Sequence, residues 1–383
     1  MFHSVMKRLE LEPKQSFMGN FSGAFADGAI LFPLMAALSI QMGMNGSALL
    51  ATAGIAYISA GVLFRVPMAV QPLKSVVVAA LAIGASAAEV GLSGFIVGLC
   101  CLVFSFCKAN RLAALVPRHL IHGLQIALGI MLMTKGMHSG FEVQEPYLKL
   151  AFIAVTFLII LFSIRTDKPV MGWVAAFGLL IGVASVLLGK ETASVPSARN
   201  EALQIEIILA LVLPQLVLTL ANSVVGTHDV AQRYFGDKAK YVTPAWLLRS
   251  IGIGNIITFP LGGLPYCHGA GGVTAHVKGG AKNWHMNLII GGVLIALSML
   301  SLFFLQPLIP SYPQTLMASL LVTTGWFHVL LAKPSWNEPG LRMILLCMGS
   351  IALITQSMLW VLAAGVICEG ARHMIKRLEG ISR

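Results

Sequence analysis

"AVQPLKSVVVAA", residues 69–80, places a glutamine, a proline and a lysine inside an otherwise greasy chain. An ammonium group near the middle of a bilayer costs roughly 3 kcal/mol or more, so Lys74 needs a physical reason to be there. Pro67 and Pro72 each remove a backbone donor and clash with the preceding turn, which rules out one continuous helix through this segment. A helix from Leu73 to Ser86 would cover only ~21 Å of a hydrocarbon core ~30 Å thick. An extended run ahead of it, at ~3.3 Å per residue, supplies the remainder. "GLPYCHGAGG" at 263–272 repeats the pattern, with Leu261–Cys267 extended and a short helix leaving from Gly269, Gly271 and Gly272. The sequence therefore predicts two strand-then-half-helix segments entering from opposite faces.

Two such segments bring two helix N-termini together near the midplane, each with unpaired N–H groups and a partial positive charge. That is an anion site. Irregular backbone at this depth is tolerated only beside protein or a watery cavity. Lys74 falls in the first turn of the first half-helix and adds its charge. Gln71, Ser75 and His268 can donate hydrogen bonds to an oxyanion, and Gly269, Gly271 and Gly272 allow close approach to backbone. Blander readings stand beside this one. Lys74 snorkels or pairs with Asp27, His268 is a satisfied core histidine, and the glycines serve tight helix crossing.

Composition sets the class. The 383 residues are 57% hydrophobic and only 11% charged, with a mean hydropathy of +0.83, against about 25% charged in soluble domains. This is a polytopic membrane protein. Six cysteines lie scattered in apolar segments, without metal-type or disulfide-framework spacing. The net charge of +11 reflects topology rather than nucleic-acid affinity. With the N-terminus inside, most Lys and Arg fall in inner loops, while Lys135, Lys149, Lys190 and Arg199 fall outside. Both termini are expected in the cytoplasm, after an uncleaved cytoplasmic N-terminus at 1–20.

Apolar stretches read as fourteen segments, divided seven and seven by the polar connection 189–205. An odd number per half turns the halves upside down relative to each other, as in many secondary transporters. The first repeat is expected at 21–188 and the second at 206–372. Each opens with a helix bearing a mid-span proline (Pro33, Pro214), and the third segment of each is broken.

Asp27 is the acidic residue well inside a span, a candidate for ion coupling or a salt-bridge partner of Lys74. In "LPQLVLTLANS" at 213–223, Gln215, Thr219 and Asn222 follow helical spacing and share a face, lining a cavity or bonding between helices. His119 and His122 begin no metal site, having no third ligand nearby. The chain has no Walker loop and no nucleophile–base order, so neither ATP-driven pumping, enzymatic activity nor a cofactor is expected.

"QPLKS" at 71–75, "LPQLVLTLANS", "PYCHGAGG" at 265–272 and "FADGAILFPL" at 25–34 resemble signatures of the molybdate-transporter branch related to the sulfate permease (SulP) family. The resemblance runs over nearly the whole chain in the right order. It implies an all-α, uracil-permease-type fold of fourteen transmembrane segments in a 7+7 inverted repeat. Residues 21–107 plus 206–305 would form the core, and 112–188 plus 313–372 the gate. It further implies substrate between segments three and ten, elevator-like movement, frequent dimers, a cell (inner) membrane location and no STAS domain. The expected cargo is a tetrahedral oxyanion, molybdate first and sulfate second, with a proton or sodium co-substrate. A nucleobase or bicarbonate carrier is the alternative on the same fold. The absence of a carboxylate from the membrane portion of segment eight departs from the proton-coupling pattern of related families.

Overall fold

The computed structural model describes residues 13–107, 117–166, 170–188, 202–303, 308 and 311–381. The N-terminal stretch 1–12, most of the 189–205 connection and the basic residues Lys108, Arg111, Lys168, Lys190 and Arg199 lie outside them. The chain opens with α1 (Pro13–Ala24), α2 (Gly28–Met42) and α3 (Gly46–Phe64). Strand β1 (Gln71–Pro72) runs straight into the short α4 (Lys74–Ile83). Helices α5 (Ala87–Phe104), α6 (Arg118–Glu142), α7 (Pro146–Arg165) and α8 (Val170–Leu187) complete the first half.

The second half begins with α9 (Ile205–Leu218), a π-helix (Thr219–Gly226) and α10 (Thr227–Phe235), joined end to end. Next come α11 (Pro244–Thr258), strand β2 (Tyr266–Cys267) and the short α12 (Ala270–Lys278). The chain ends through α13 (His285–Phe303), α14 (Gln314–Leu330), the single turn α15 (Lys333–Trp336), α16 (Pro339–Thr355) and α17 (Met358–Ile381). Among the described residues eight helical runs are long and apolar enough to cross a membrane.

Both broken segments form as the prolines and glycines dictate. At 1.5 Å per residue, α4 and α12 reach only about 15 and 14 Å, half a bilayer each. Their strands pair antiparallel, Gln71 with Cys267 and Pro72 with Tyr266, so the two segments do enter from opposite directions. The α4 helix ends at Ile83, three residues before Ser86, and Gly84 follows with a φ of 73° as its left-handed cap.

Backbone buried in so short a ladder needs other partners, and side chains supply them. Asn287 of α13 brackets Met68, accepting from its N–H at 3.0 Å and donating to its carbonyl at 2.7 Å. Asn255 of α11 does the same for Tyr266, at 2.9 and 2.7 Å. Thr52 Oγ1 accepts from Leu264 N at 2.9 Å, and Leu73 N donates to Pro265 O at 2.9 Å. Each asparagine acts as a one-residue strand.

Around this crossing α3 packs on α13 and α5 on α11, while α6 packs on α14 and α16. Glycines allow the closest approaches: a Cβ on Gly54 would lie 2.7 Å from Gly291 O, and one on Gly129 would lie 2.5 Å from Gly325 O.

The first apolar run, Phe17–Met42, is long enough to cross a membrane and carries a short turn inside it. The turn lies at residues 25–27, where Ala26 tucks under Gly172 of α8: a Cβ there would meet Ala26 Cα at 2.5 Å. Pro33 lies buried within α2, as the mid-span proline of its helix. Residues 227–243 are largely helical: α9 continues through the π-helix into α10 as far as Phe235.

Candidate functional site

A cavity of about 560 Å³ lies between the broken segments and the helices α6, α7, α8 and α14. Asp27, Lys74, Asn222, Gly271 and Thr274 line one side of it, and Gln125, Thr324 and His328 line the other. Of the residues singled out in the sequence, the cavity thus collects Lys74, Gly271, Asn222 and Asp27.

Lys74 is the first residue of α4 and only 6% exposed. Its ammonium forms no hydrogen bond and no ion pair among the described residues, so its charge is left to the cavity. Asp27 does not neutralise it by contact. That carboxylate sits at the break ahead of α2, caps no amide of its own helix, and is held by Gln71, whose Nε2 donates to both oxygens at 2.6 and 2.8 Å. The salt-bridge reading of Lys74 and Asp27 is therefore set aside.

Behind the cavity stands a tight layer. Gln71 is fully buried, and its Oε1 has no partner. A Cβ on Gly269 would run into that oxygen, and one on Gly272 would lie 2.5 Å from Ala69 Cβ and 2.7 Å from Asp27 Oδ2. Gly271 differs, with nothing within 4 Å of its would-be Cβ. Two of the three glycines serve packing, and the third faces open space.

The N-terminus of α12 begins at Gly269 without any side-chain cap. The N-terminus of α4 is occupied: Gln215 Oε1 accepts from Ser75 N at 3.0 Å and Val76 N at 3.4 Å. Gln215 Nε2 in turn donates to Thr219 Oγ1 at 3.0 Å. Ser75 Oγ is fully buried and unpartnered. A void of about 10 Å³, lined by Lys74, Gln125, Gln215, Asn222, Ser223 and Cys267, adjoins these groups and holds room for about one water. Asn222 reaches both spaces because it lies in the π-helix, a widened turn that departs from the regular helical spacing.

His268 does not reach the cavity. Its ring is fully buried, with Nδ1 donating to Ala69 O at 2.8 Å and Nε2 accepting from Ser250 Oγ at 2.9 Å. It is a strut between the two broken segments, the core-histidine reading. His119 and His122 are likewise committed, to Glu369 at 2.7 Å and Ser335 at 2.6 Å, as helix-end contacts. Sequence reasoning missed the opposite wall. His328 Nδ1 donates to Gln125 Oε1 at 2.6 Å, and Thr324 lies one turn before it. "LQIALGI" and "TTGWFHVL" carried those polar residues in plain view, but no face of these buried helices was marked as the one toward Lys74.

Comparison with known proteins follows the same lines. A family model described as "Molybdate transporter of MFS superfamily" matches residues 19–132 and 207–327. The chain is 37% identical to Molybdate transporter 1 of Chlamydomonas reinhardtii over 117 residues, covering 30% of this chain and 22% of that protein. It is 21% identical to Molybdate transporter 1 of Arabidopsis thaliana over 406 residues, covering 92% of this chain and 87% of that one. Among solved structures, the murine Slc26a9 anion transporter in the inward-facing state gives a TM-score of 0.69 at 11% identity, covering 98% of this chain and 72% of that chain. The transmembrane domain of the cyanobacterial bicarbonate transporter BicA gives 0.62 at 18% identity, covering 93% and 98%. These likenesses establish an SLC26-like fold, in keeping with the resemblance to sulfate permeases. The chain, a multi-pass membrane protein of that fold, belongs to the molybdate transporter family.

Proposed function

We propose that the protein is a secondary transporter of a tetrahedral oxyanion, molybdate first and sulfate second, that binds its cargo at Lys74. The observation that carries this reading is a buried ammonium without a partner, at the start of a half-helix, on a cavity shared with the uncapped end of a second half-helix. The charges fit. One lysine and two helix N-termini at about half a charge each sum to about +2, the complement of a dianion. The names of the relatives, molybdate transporters among them, favour molybdate.

Asp27 subtracts one from that sum when ionised. A dianion is balanced best with Asp27 protonated, which makes this carboxylate the candidate for carrying a coupled proton. Gly271 offers backbone approach and Asn222 a side-chain amide on the cavity wall. Gln71, Gly269 and Gly272 hold the second half-helix in place, and Ser75 adds a hydroxyl beside Lys74.

On this reading the chain is a 7+7 inverted repeat, with α1–α5 and α9–α13 as the moving core and α6–α8 and α14–α17 as the gate. The α3–α13 and α5–α11 pairs correspond under such a repeat. Ser163, Thr166, Lys278 and Leu331 lie along the cavity, on the side where charge counting puts the cytoplasm, so the cavity would open inward there. Alternating access would follow from the core sliding along the gate.

Uptake of radiolabelled molybdate into proteoliposomes, with tungstate, sulfate and bicarbonate as competitors, tests the proposal. Saturable uptake competed by tungstate and sulfate is expected. Uptake of none of these anions would overturn it, and preference for bicarbonate would move the chain to another carrier class.

A further inference from the structure

We infer that Gln215 is a tethered competitor of the substrate: its side-chain oxygen occupies the first half-helix's N-terminus in the place of one substrate oxygen and must swing away for tight binding. This inference rests on the anion-transporter reading above and goes beyond it, because it names a residue that sets affinity by opposing the ligand.

The geometry distinguishes this role from that of an ordinary ligand. A neutral amide oxygen on the N–H groups of Ser75 and Val76 sits where the helix dipole favours an anion's oxygen. Any oxyanion seeking those donors meets Gln215 first. The arrangement at α12 is unlike it, since among the described residues no side chain accepts from the first amides of that helix. The two half-helices are thus unequal: an oxyanion reaches the α12 end and Lys74 directly, and the α4 amides only by exchange.

Independent features point to a ligand at the plugged end. Lys74 has no partner there, and Ser75 Oγ, in the same turn, is fully buried and unpartnered. If Gln215 served only to finish the helix, the hydroxyl beside it would have no reason to stay unsatisfied. A small polar space adjoins the plug as well. Gln215 lines the small void with Asn222 and Ser223, and the π-helix that begins at Thr219, its hydrogen-bond partner, is a turn type frequent at functional sites. A ligand that displaces a protein group gains only the difference between the two contacts, so Gln215 keeps affinity low enough for release.

The test compares molybdate binding by the purified full-length protein and by two variants, with calorimetry and with melting temperature as the check on folding. Gln215→Ala frees the α4 amides and is expected to bind molybdate roughly two- to tenfold more tightly, the range that one net hydrogen bond represents, while turning over more slowly in proteoliposomes. Gln215→Glu keeps an acceptor on the amides and makes it an anion. It should fold with normal yield and bind molybdate at least about tenfold more weakly. If the wild type binds molybdate and Gln215→Ala binds it equally or less tightly, the competitor role is wrong and the transporter reading survives. A Gln215→Ala protein that fails to fold leaves the decision to Gln215→Glu, where wild-type affinity would overturn the inference. If the wild type binds none of molybdate, tungstate or sulfate, both readings fall together.

Discussion

Lys74 and Asp27 face the same cavity and do not touch: the carboxylate is gripped by Gln71 at 2.6 and 2.8 Å, while the ammonium meets no acceptor among the described residues. Opposite charges buried near each other ordinarily collapse into a pair. Here the glutamine keeps the acid engaged elsewhere, and the lysine's attraction is spent on whatever enters the cavity.

Replacing Lys74 by alanine should therefore cost binding rather than folding. A hydrogen bond to a charged group contributes about 1.5–3 kcal/mol, so molybdate affinity is expected to drop about ten- to a hundredfold. Size-exclusion profile and melting temperature should stay near wild type, since the variant removes an unpaired buried charge. Unchanged binding by Lys74→Ala would show the lysine to be structural.

Asp27→Asn tests the coupling. The amide oxygen still accepts from Gln71, so the layer behind the cavity should persist. With a proton no longer able to bind there, molybdate counterflow between equal pH compartments should continue. Accumulation driven by an imposed acid-outside gradient should be lost. An intact response to the gradient would assign the proton to another group.

The glycines should separate by role. Gly272→Ala forces a methyl against Ala69 and Asp27, and overpacking of this kind costs about 1–3 kcal/mol. Gly271→Ala meets nothing and should fold normally, yet place a methyl on the cavity wall and weaken molybdate binding several-fold, roughly the effect of one displaced contact. Thermal unfolding and binding isotherms on the two proteins read the split, and equal loss of stability in both would contradict it.

Asn255→Leu and Asn287→Leu should each unravel one strand. Either change leaves a buried N–H and a buried carbonyl unpaired, a loss of about 2–4 kcal/mol. Thr52→Val removes a single acceptor, that for Leu264 N, and should cost less. Melting temperatures in detergent rank the three, and a milder effect for either asparagine than for Thr52 would refute the strand-substitute role.

Much of this architecture is legible in the sequence because it rests on residues with few options. Pro67 and Pro72, two prolines five residues apart, interrupt the helix where single prolines such as Pro33 and Pro214 are absorbed within one, and a glycine cluster following a proline marks where the second half-helix can start. Lys74 was unmistakable for its cost alone. The occupied helix end was not legible, because Gln215 lies 140 residues from Ser75 in the chain and a glutamine on a helix looks the same whether it lines a cavity or caps a distant turn. His268 misled for a related reason: its two partners, Ala69 and Ser250, come from different segments. The π-helix could not be anticipated either, since nothing in "TLANSVVG" distinguishes an i+5 ladder from the ordinary one.

The pairing of β1 with β2 also dictates an order of manufacture. Ala69 and His268 are separated by 199 residues, and at 5–20 residues per second a ribosome needs on the order of ten seconds or more to bridge them. Through that interval Lys74 and the extended backbone ahead of it have been synthesised without Asn287, Tyr266 or His268 to shelter them. Until then the first broken segment stays without those partners. Truncations that stop before residue 287 should accordingly be cleared as incompletely inserted protein, however hydrophobic they are.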